Sequence, residues 1–173
     1  MSNIRLIGLS SIKIGEITAT KEMASGASLT TLAAIVPDSA HLILEPPGTT
    51  DLFIEDTDLP DIQVLGASKK TLEFATRDIG FEALIEAFSG ASASSVWSHP
   101  VTALVIREKS IQAISKVYNA FKLILNIPRA SIHTGGDLRF SKTESGQITF
   151  SCDVLMPASS TAISPMTIKQ VAG

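Results

Sequence analysis

The chain has 173 residues, 45% of them hydrophobic and 18% charged, with a formal net charge of -3. That length suits one domain with a real core, and that composition excludes both a disordered chain and a chain built of membrane helices. No apolar run approaches the roughly 20 residues of a spanning helix, and the start Met1-Ser2-Asn3-Ile4-Arg5 does not read as a signal peptide. Cys152 is the single cysteine, so no intrachain disulfide can form, and a cytoplasmic folding compartment is expected.

Strand patterns dominate. Ile12-Lys13-Ile14 alternates, and Ala40 to Glu45 is a short apolar run ended by Pro46-Pro47-Gly48. Leu52 to Glu55 and Ile62 to Leu65 are short strand candidates around Asp58-Leu59-Pro60. Thr71 to Thr76 places Leu72 and Phe74 on one face. Asp78 reads as the N-cap of a helix whose stripe is Phe81, Leu84, Ile85 and Phe88, with Gly90 as its stop. Ser89 to Ser95 reads as a flexible loop, Val101 to Ile106 as a central strand, and Ile111 to Asn119 as strand and loop.

The C-terminal third alternates most clearly. Phe121, Leu123, Leu125 and Ile127 share a face, and Pro128 is expected to end or edge that strand. Leu138 to Phe140, a turn over Lys142 to Gly146, and the alternating Ile148, Phe150, Cys152, Val154 and Met156 read as a hairpin. The Ser-, Thr- and Ala-rich tail over 157–173 reads as an arm. These elements predict a mainly β fold over 1–173, a β-sandwich or partly open barrel with one flanking α-helix.

Charge is unevenly spread. No Lys or Arg lies between Lys21 and Lys69, while that stretch holds Glu22, Asp38, Glu45, Asp51, Glu55, Asp56, Asp58 and Asp61. Residues 46–61 read as a flexible acidic loop, and no basic cluster suggests tight DNA binding.

No motif carries chemistry. There is no P-loop, G-x-G-x-x-G, G-x-S-x-G or H-E-x-x-H. His41, His99 and His133 are isolated in sequence and read as ordinary histidines, and Cys152 as a buried inert thiol. His133-Thr134-Gly135-Gly136-Asp137 reads as a plain turn, and Trp97 as a packing anchor. The expectation is therefore no enzyme, with no catalytic, cofactor-binding or metal-binding residue and no cofactor.

Two stretches carry a resemblance. One is Leu72-Glu73-Phe74-Ala75-Thr76-Arg77-Asp78 followed by the helix, Gly90 and Trp97. The other runs from Ile127-Pro128-Arg129-Ala130 through Leu138-Arg139-Phe140-Ser141-Lys142 to Ile148-Thr149-Phe150-Ser151-Cys152-Asp153-Val154-Leu155. Their order, with the opening Ile7-Gly8-Leu9-Ser10-Ser11-Ile12-Lys13-Ile14-Gly15-Glu16-Ile17, resembles the tail tube (major tail) proteins of bacteriophages. The resemblance implies a structural virion protein that forms stacked hexameric rings, a conduit for genome ejection. It also implies contacts with a tape-measure protein and with tail terminator or baseplate proteins. DNA would pass through the lumen without specific binding, no membrane would be involved, and assembly would occur in the host cytoplasm. The inner tube of a contractile tail, a gene transfer agent or a secretion system is an alternative of the same class. A small β-domain binding a ligand or partner is the alternative of another class. In a tube, the acids of 45–61 would either line the lumen or meet Lys69, Lys70, Arg129 or Arg139 of the next subunit.

Overall fold

The computed structural model describes residues 8–18, 23–24, 26–52, 62–101, 106–140, 145–157 and 164–173. The fold is mainly β with one α-helix. The strands are β1 (Leu9–Glu16), β2 (Leu29–Leu32), β3 (His41–Leu44), β4 (Thr49–Leu52), β5 (Ile62–Leu65), β6 (Lys70–Thr76), β7 (Ala91–Ala93), β8 (Val96–Ser98), β9 (Arg107–Ser115), β10 (Phe121–Phe140), β11 (Ser145–Val154) and β12 (Thr167–Ala172). The helix α1 spans Phe81–Phe88.

Eight strands form one antiparallel sheet in the order β2-β1-β9-β10-β11-β6-β3, with β12 also on β10. The pairs β4-β5 and β7-β8 form two small sheets. The sheet does not close into a barrel, but it curls. The chain leaving β2 crosses to β6, where Val36 N–H donates to the Ala75 carbonyl at 2.8 Å and Arg77 N–H to that of Ala34 at 3.0 Å. Those bonds draw opposite sides of the sheet together around its apolar face.

The alternation read from the sequence is what builds that face. Paired residues point the same way, so Ile12 and Ile14 of β1 stand beside Ala113 and Ile111 of β9. Ile127 of β10 continues the row from Ile111. Across β11, Phe150 meets Phe74 and Cys152 meets Leu72. Ile12, Ile14, Ile111, Ile127, Ile148 and Cys152 are fully buried. The Phe74 and Phe150 rings stack with centroids 4.8 Å apart.

Strand β10 is the spine, 20 residues long. One edge carries β9; the other carries β12 over Phe121 to Asn126 and then β11 from Ala130 onward. Pro128 therefore does not end the strand. It falls where the β9 register shifts between Ile127 and Ala130, a bulge in which a missing N–H costs no ladder bond. Its carbonyl accepts from the buried Ser110 hydroxyl at 2.7 Å. His133 to Asp137, expected as a turn, lies inside this strand, paired with β11.

The tail also differs from the expected arm. Residues 158–163 lie outside the described part, and Thr167–Ala172 is a strand of the chain's own sheet. Residues 102–105 of the expected central strand are likewise outside, and β9 begins at Arg107. The expected loop over Ser89 to Ser95 contains β7, which pairs with β8 through a turn at 94–95.

The helix packs by part of the expected stripe, Leu84 and Phe88, together with Ala83 and Ala87. Ala83, Leu84 and Ala87 are its buried residues, while Phe81 is exposed and Phe88 half-buried. Small residues let the helix approach the sheet closely; Gly136 of β10 leaves the space that the Phe88 ring tip enters, 3.0 Å from where a Cβ would stand. Gly80, not Asp78, is the N-cap; the Asp78 carboxylate instead accepts from the Gly80 N–H at 2.8 Å. At the other end Ser89 and Gly90 both have positive φ, and a Cβ on Gly90 would collide with the Ser98 carbonyl oxygen.

The last carbonyls of the helix are met by side chains. The Arg107 guanidinium donates to the carbonyl oxygens of Ile85 at 2.8 Å, Glu86, and Ala87 at 2.6 Å. Thr134 Oγ1 also donates to Ala87 at 2.6 Å, and Trp97 Nε1 to Ser89 at 3.0 Å. A cation at this end also opposes the helix dipole. Burial pulls the Arg107 guanidinium below its ordinary pKa, and Glu86 and Glu16 pull it back. Trp97 is thus the packing anchor that its sequence context suggested.

Cys152 has an inward-facing, fully buried thiol. Burial, with a smaller contribution from Asp153, pushes it up to about 12. Against the unfolded value of 9.0, the thiolate fraction at pH 8 falls about a thousandfold. Labelling of the native protein by a disulfide reagent at pH 8 is expected to be slower than that of the urea-unfolded chain by at least this factor. Equal rates would show that Cys152 does not face the core.

Candidate assembly surface

The sheet's outer face carries a polar cluster. His41, Glu73, Ser151 and His133 stand in one cross-strand row through β3, β6, β11 and β10. Ser131 Oγ lies 3.3 Å from His133 Nε2, and Asp153 Oδ2 lies 3.9 Å from the same nitrogen. A nucleophile–base–acid relay needs the hydroxyl and the carboxylate on opposite ring nitrogens. Here they share one, and Asp153 is held by the Thr71 hydroxyl at 2.8 Å and by Lys69 at 3.2 Å. This arrangement does not form a catalytic triad. His99 sits elsewhere, edge-on to Trp97 with its Nδ1 2.9 Å from the Pro100 carbonyl oxygen. Among the described residues no three His, Cys, Asp or Glu side chains group to hold a metal, and no helix is long and apolar enough to cross a membrane.

A stronger feature is the two-stranded ribbon β4-β5. It continues the β3-β6 pair outward, through Glu45 N–H to the Lys69 carbonyl at 2.9 Å and Gly66 N–H to that of Gly48 at 2.7 Å. Beyond that point only β4 and β5 pair, Thr49 with Leu65 through Leu52 with Ile62. Pleating sorts the ribbon into two faces. One holds Thr50, Leu52, Ile62 and Val64; the other holds Thr49, Asp51, Gln63 and Leu65. Every residue of both strands is exposed, Leu52 at 50%, Ile62 at 54% and Val64 at 49%. An isolated hairpin is marginal in water, and an apolar face on one is a surface awaiting a partner. Among the described residues, β3 and β12 also have a neighbour on one side only. Such edges invite pairing with another chain.

Of the expected acidic loop over 46–61, Thr49–Leu52 is the strand β4 and residues 53–61 lie outside the described part. Glu45 and Asp51 are exposed at and beyond the ribbon's base; Glu55, Asp56, Asp58 and Asp61 lie outside the described residues. The bases expected to meet these acids are mostly engaged at home. Arg129 is held by Glu108 at 2.7 and 2.6 Å, a bond that raises its pKa. Arg139 lies 2.7 Å from Asp137, Lys69 pairs with Asp153, and Lys70 stands opposite Leu44 at the ribbon's own base.

Sequence reading missed β2, β12 and the β7-β8 hairpin; it placed a strand at Leu52 to Glu55, of which 53–55 lie outside the described residues, where β4 spans Thr49–Leu52. β12 did carry a signal, since Ile168 and Val171 sit among polar residues just before the end of the given sequence. It is weak because β12 buries little: five of its six residues are exposed. No family model matches this chain, and no curated protein matches it significantly.

Proposed function

We propose that this chain is a structural subunit of a phage tail tube, forming stacked, hexameric rings that make a conduit for DNA ejection. The observation that supports this best is the ribbon β4-β5, whose side chains Leu52, Ile62 and Val64 are exposed among the described residues. The one-sided edges of β3 and β12 support it further, because a ring closes such edges against one another. On this reading the curled sheet is the sandwich-like, partly open barrel of the tube wall, with α1 on its flank. The resemblance supplies the rest: a virion-tail location, assembly in the host cytoplasm, and contacts with tape-measure and terminator or baseplate proteins. The protein acts by assembly and carries out no catalysis. A contractile-tail inner tube or a secretion-system tube uses the same architecture.

Negative-stain microscopy and sedimentation test this directly. The purified chain is expected to form rings or tubes, and Leu52→Asp with Val64→Asp is expected to abolish them without lowering the melting temperature. A chain that stays monomeric when concentrated overturns the reading in favour of a monomeric binding domain. Tubes that survive the double substitution would show that the ribbon face is not part of any contact.

A further inference from the structure

Three lysines that are far apart in the sequence share the outer face of β1, β9, β10 and β12. One cross-strand row there reads Lys13, Gln112, Asn126, Thr167. The next reads Ser11, Ile114, Ile124, Lys169, and Lys122 pairs with Val171 beyond it. None of these positions is acidic, and Lys13, Lys122 and Lys169 make no ion pair among the described residues. Glu108, farther along the same face of β9, is held by Arg129. Strands stand about 4.8 Å apart and alternate residues about 6.8 Å, so the backbones at Lys122 and Lys169 are about 8 Å apart, with Lys13 about 16 Å from either.

This pattern fits a chain of phosphates better than a protein or a lipid surface. A protein contact is anchored by side chains that bury in a pocket, and a lipid surface takes up protruding apolar ones. Here Ile114 and Ile124 are half-buried in the pleat, and only Val171 is exposed, at 39%. What the face offers instead is unpaired ammonium groups among amides and hydroxyls, the groups that hold a nucleic-acid backbone. Gln112 Nε2 donates to Asn126 Oδ1 at 2.9 Å, which fixes that amide pair between Lys13 and β12.

We infer that this face is a sequence-independent contact surface for a nucleic-acid backbone, on which Lys13, Lys122 and Lys169 each meet a phosphate. Lys122 and Lys169 take two phosphates close together, and Lys13 a third farther along. The inference goes beyond the ring reading, since a conduit needs no affinity for phosphate. It concerns a face of the single chain and holds or fails whether or not rings form.

Fluorescence anisotropy of a labelled random-sequence DNA duplex, titrated with the purified chain over a series of salt concentrations, tests it. Binding is expected, with log affinity falling against log salt at a slope of about -3 for three neutralised phosphates. Lys122→Gln with Lys169→Gln is expected to weaken binding about tenfold at low salt and to bring the slope to about -1. Lys69→Gln with Lys70→Gln makes the same change in net charge on β6 and the residue before it, and is expected to leave both quantities nearly unchanged. Lys122→Arg with Lys169→Arg should keep the wild-type affinity. No binding by the wild type, or equal weakening by the two glutamine pairs, overturns the inference. So does a chain that binds phosphatidylserine vesicles but not DNA, whose lysines then belong to a lipid surface. A chain that binds DNA in this way yet never forms rings keeps this surface and loses the ring reading; rings that bind no DNA do the reverse.

Discussion

Replacing Lys109 with alanine is expected to lower the stability of the fold by about 3–5 kcal/mol. The side chain is only 8% exposed and reaches two carboxylates, Glu86 at 3.0 Å and Glu16. The two are not equivalent. Glu16 is 79% exposed, so water replaces the ammonium there at little cost. Glu86 is 16% exposed and sits on α1 beside the Arg107 cap, so without Lys109 its charge is left in a poorly solvated site. Urea unfolding of Lys109→Ala measures the loss. Adding Glu86→Gln to that variant is expected to recover part of it, because the stranded charge is gone. A single variant as stable as the wild type would show that the pair is solvated and the helix end open.

Phe150→Ala is expected to cost about as much, roughly 3–5 kcal/mol. The ring is 1% exposed, stacked on Phe74 at an interplanar angle of 8°. Its strand neighbours Ile148 and Cys152 are fully buried, and both flanking strands are laddered, so the site has little room to collapse onto the lost volume. Thermal and urea midpoints should fall together with unchanged strand content. A loss under about 1 kcal/mol would mean that the two rings do not share one core.

The two predictions differ in how far the sequence alone supports them. Phe150 stood at an apolar position of the strongest alternation in the chain, and that pattern is local: a period of two needs no knowledge of the partner strand. No sequence pattern singled out Lys109. Its burial follows from β1 bringing Glu16 beside it and α1 bringing Glu86 over it, contacts between residues remote in sequence. The helix shows the same division. Its place was legible, but the residues it buries are Ala83, Leu84 and Ala87, while the expected Phe88 is half-buried with its ring tip over Gly136 of β10.

The candidate surface was legible only in part. The acidic stretch and its proline breakers were visible as composition, and Ile62 to Leu65 as a strand. That β4 and β5 leave the sheet as a bare ribbon depends on where the β3-β6 ladder ends. Likewise, Arg129 and Arg139 seemed free to meet the acids, yet Glu108 and Asp137 take them. An ion pair is a matter of a few ångströms, and sequence separation does not report it.

By itself, then, the sequence determined the mainly β character, the inward alternation of Ile12, Phe74, Ile127, Phe150 and Cys152, the single helix and the uneven charge. Only the tertiary structure decided the register, the double pairing of β10, the return of the tail as β12, and which lysines remain unpaired. The physical reason is range. Pleat, turn chemistry and helical periodicity act over a few residues, while strand partners, buried ion pairs and uncovered faces are set by contacts between segments far apart in the chain.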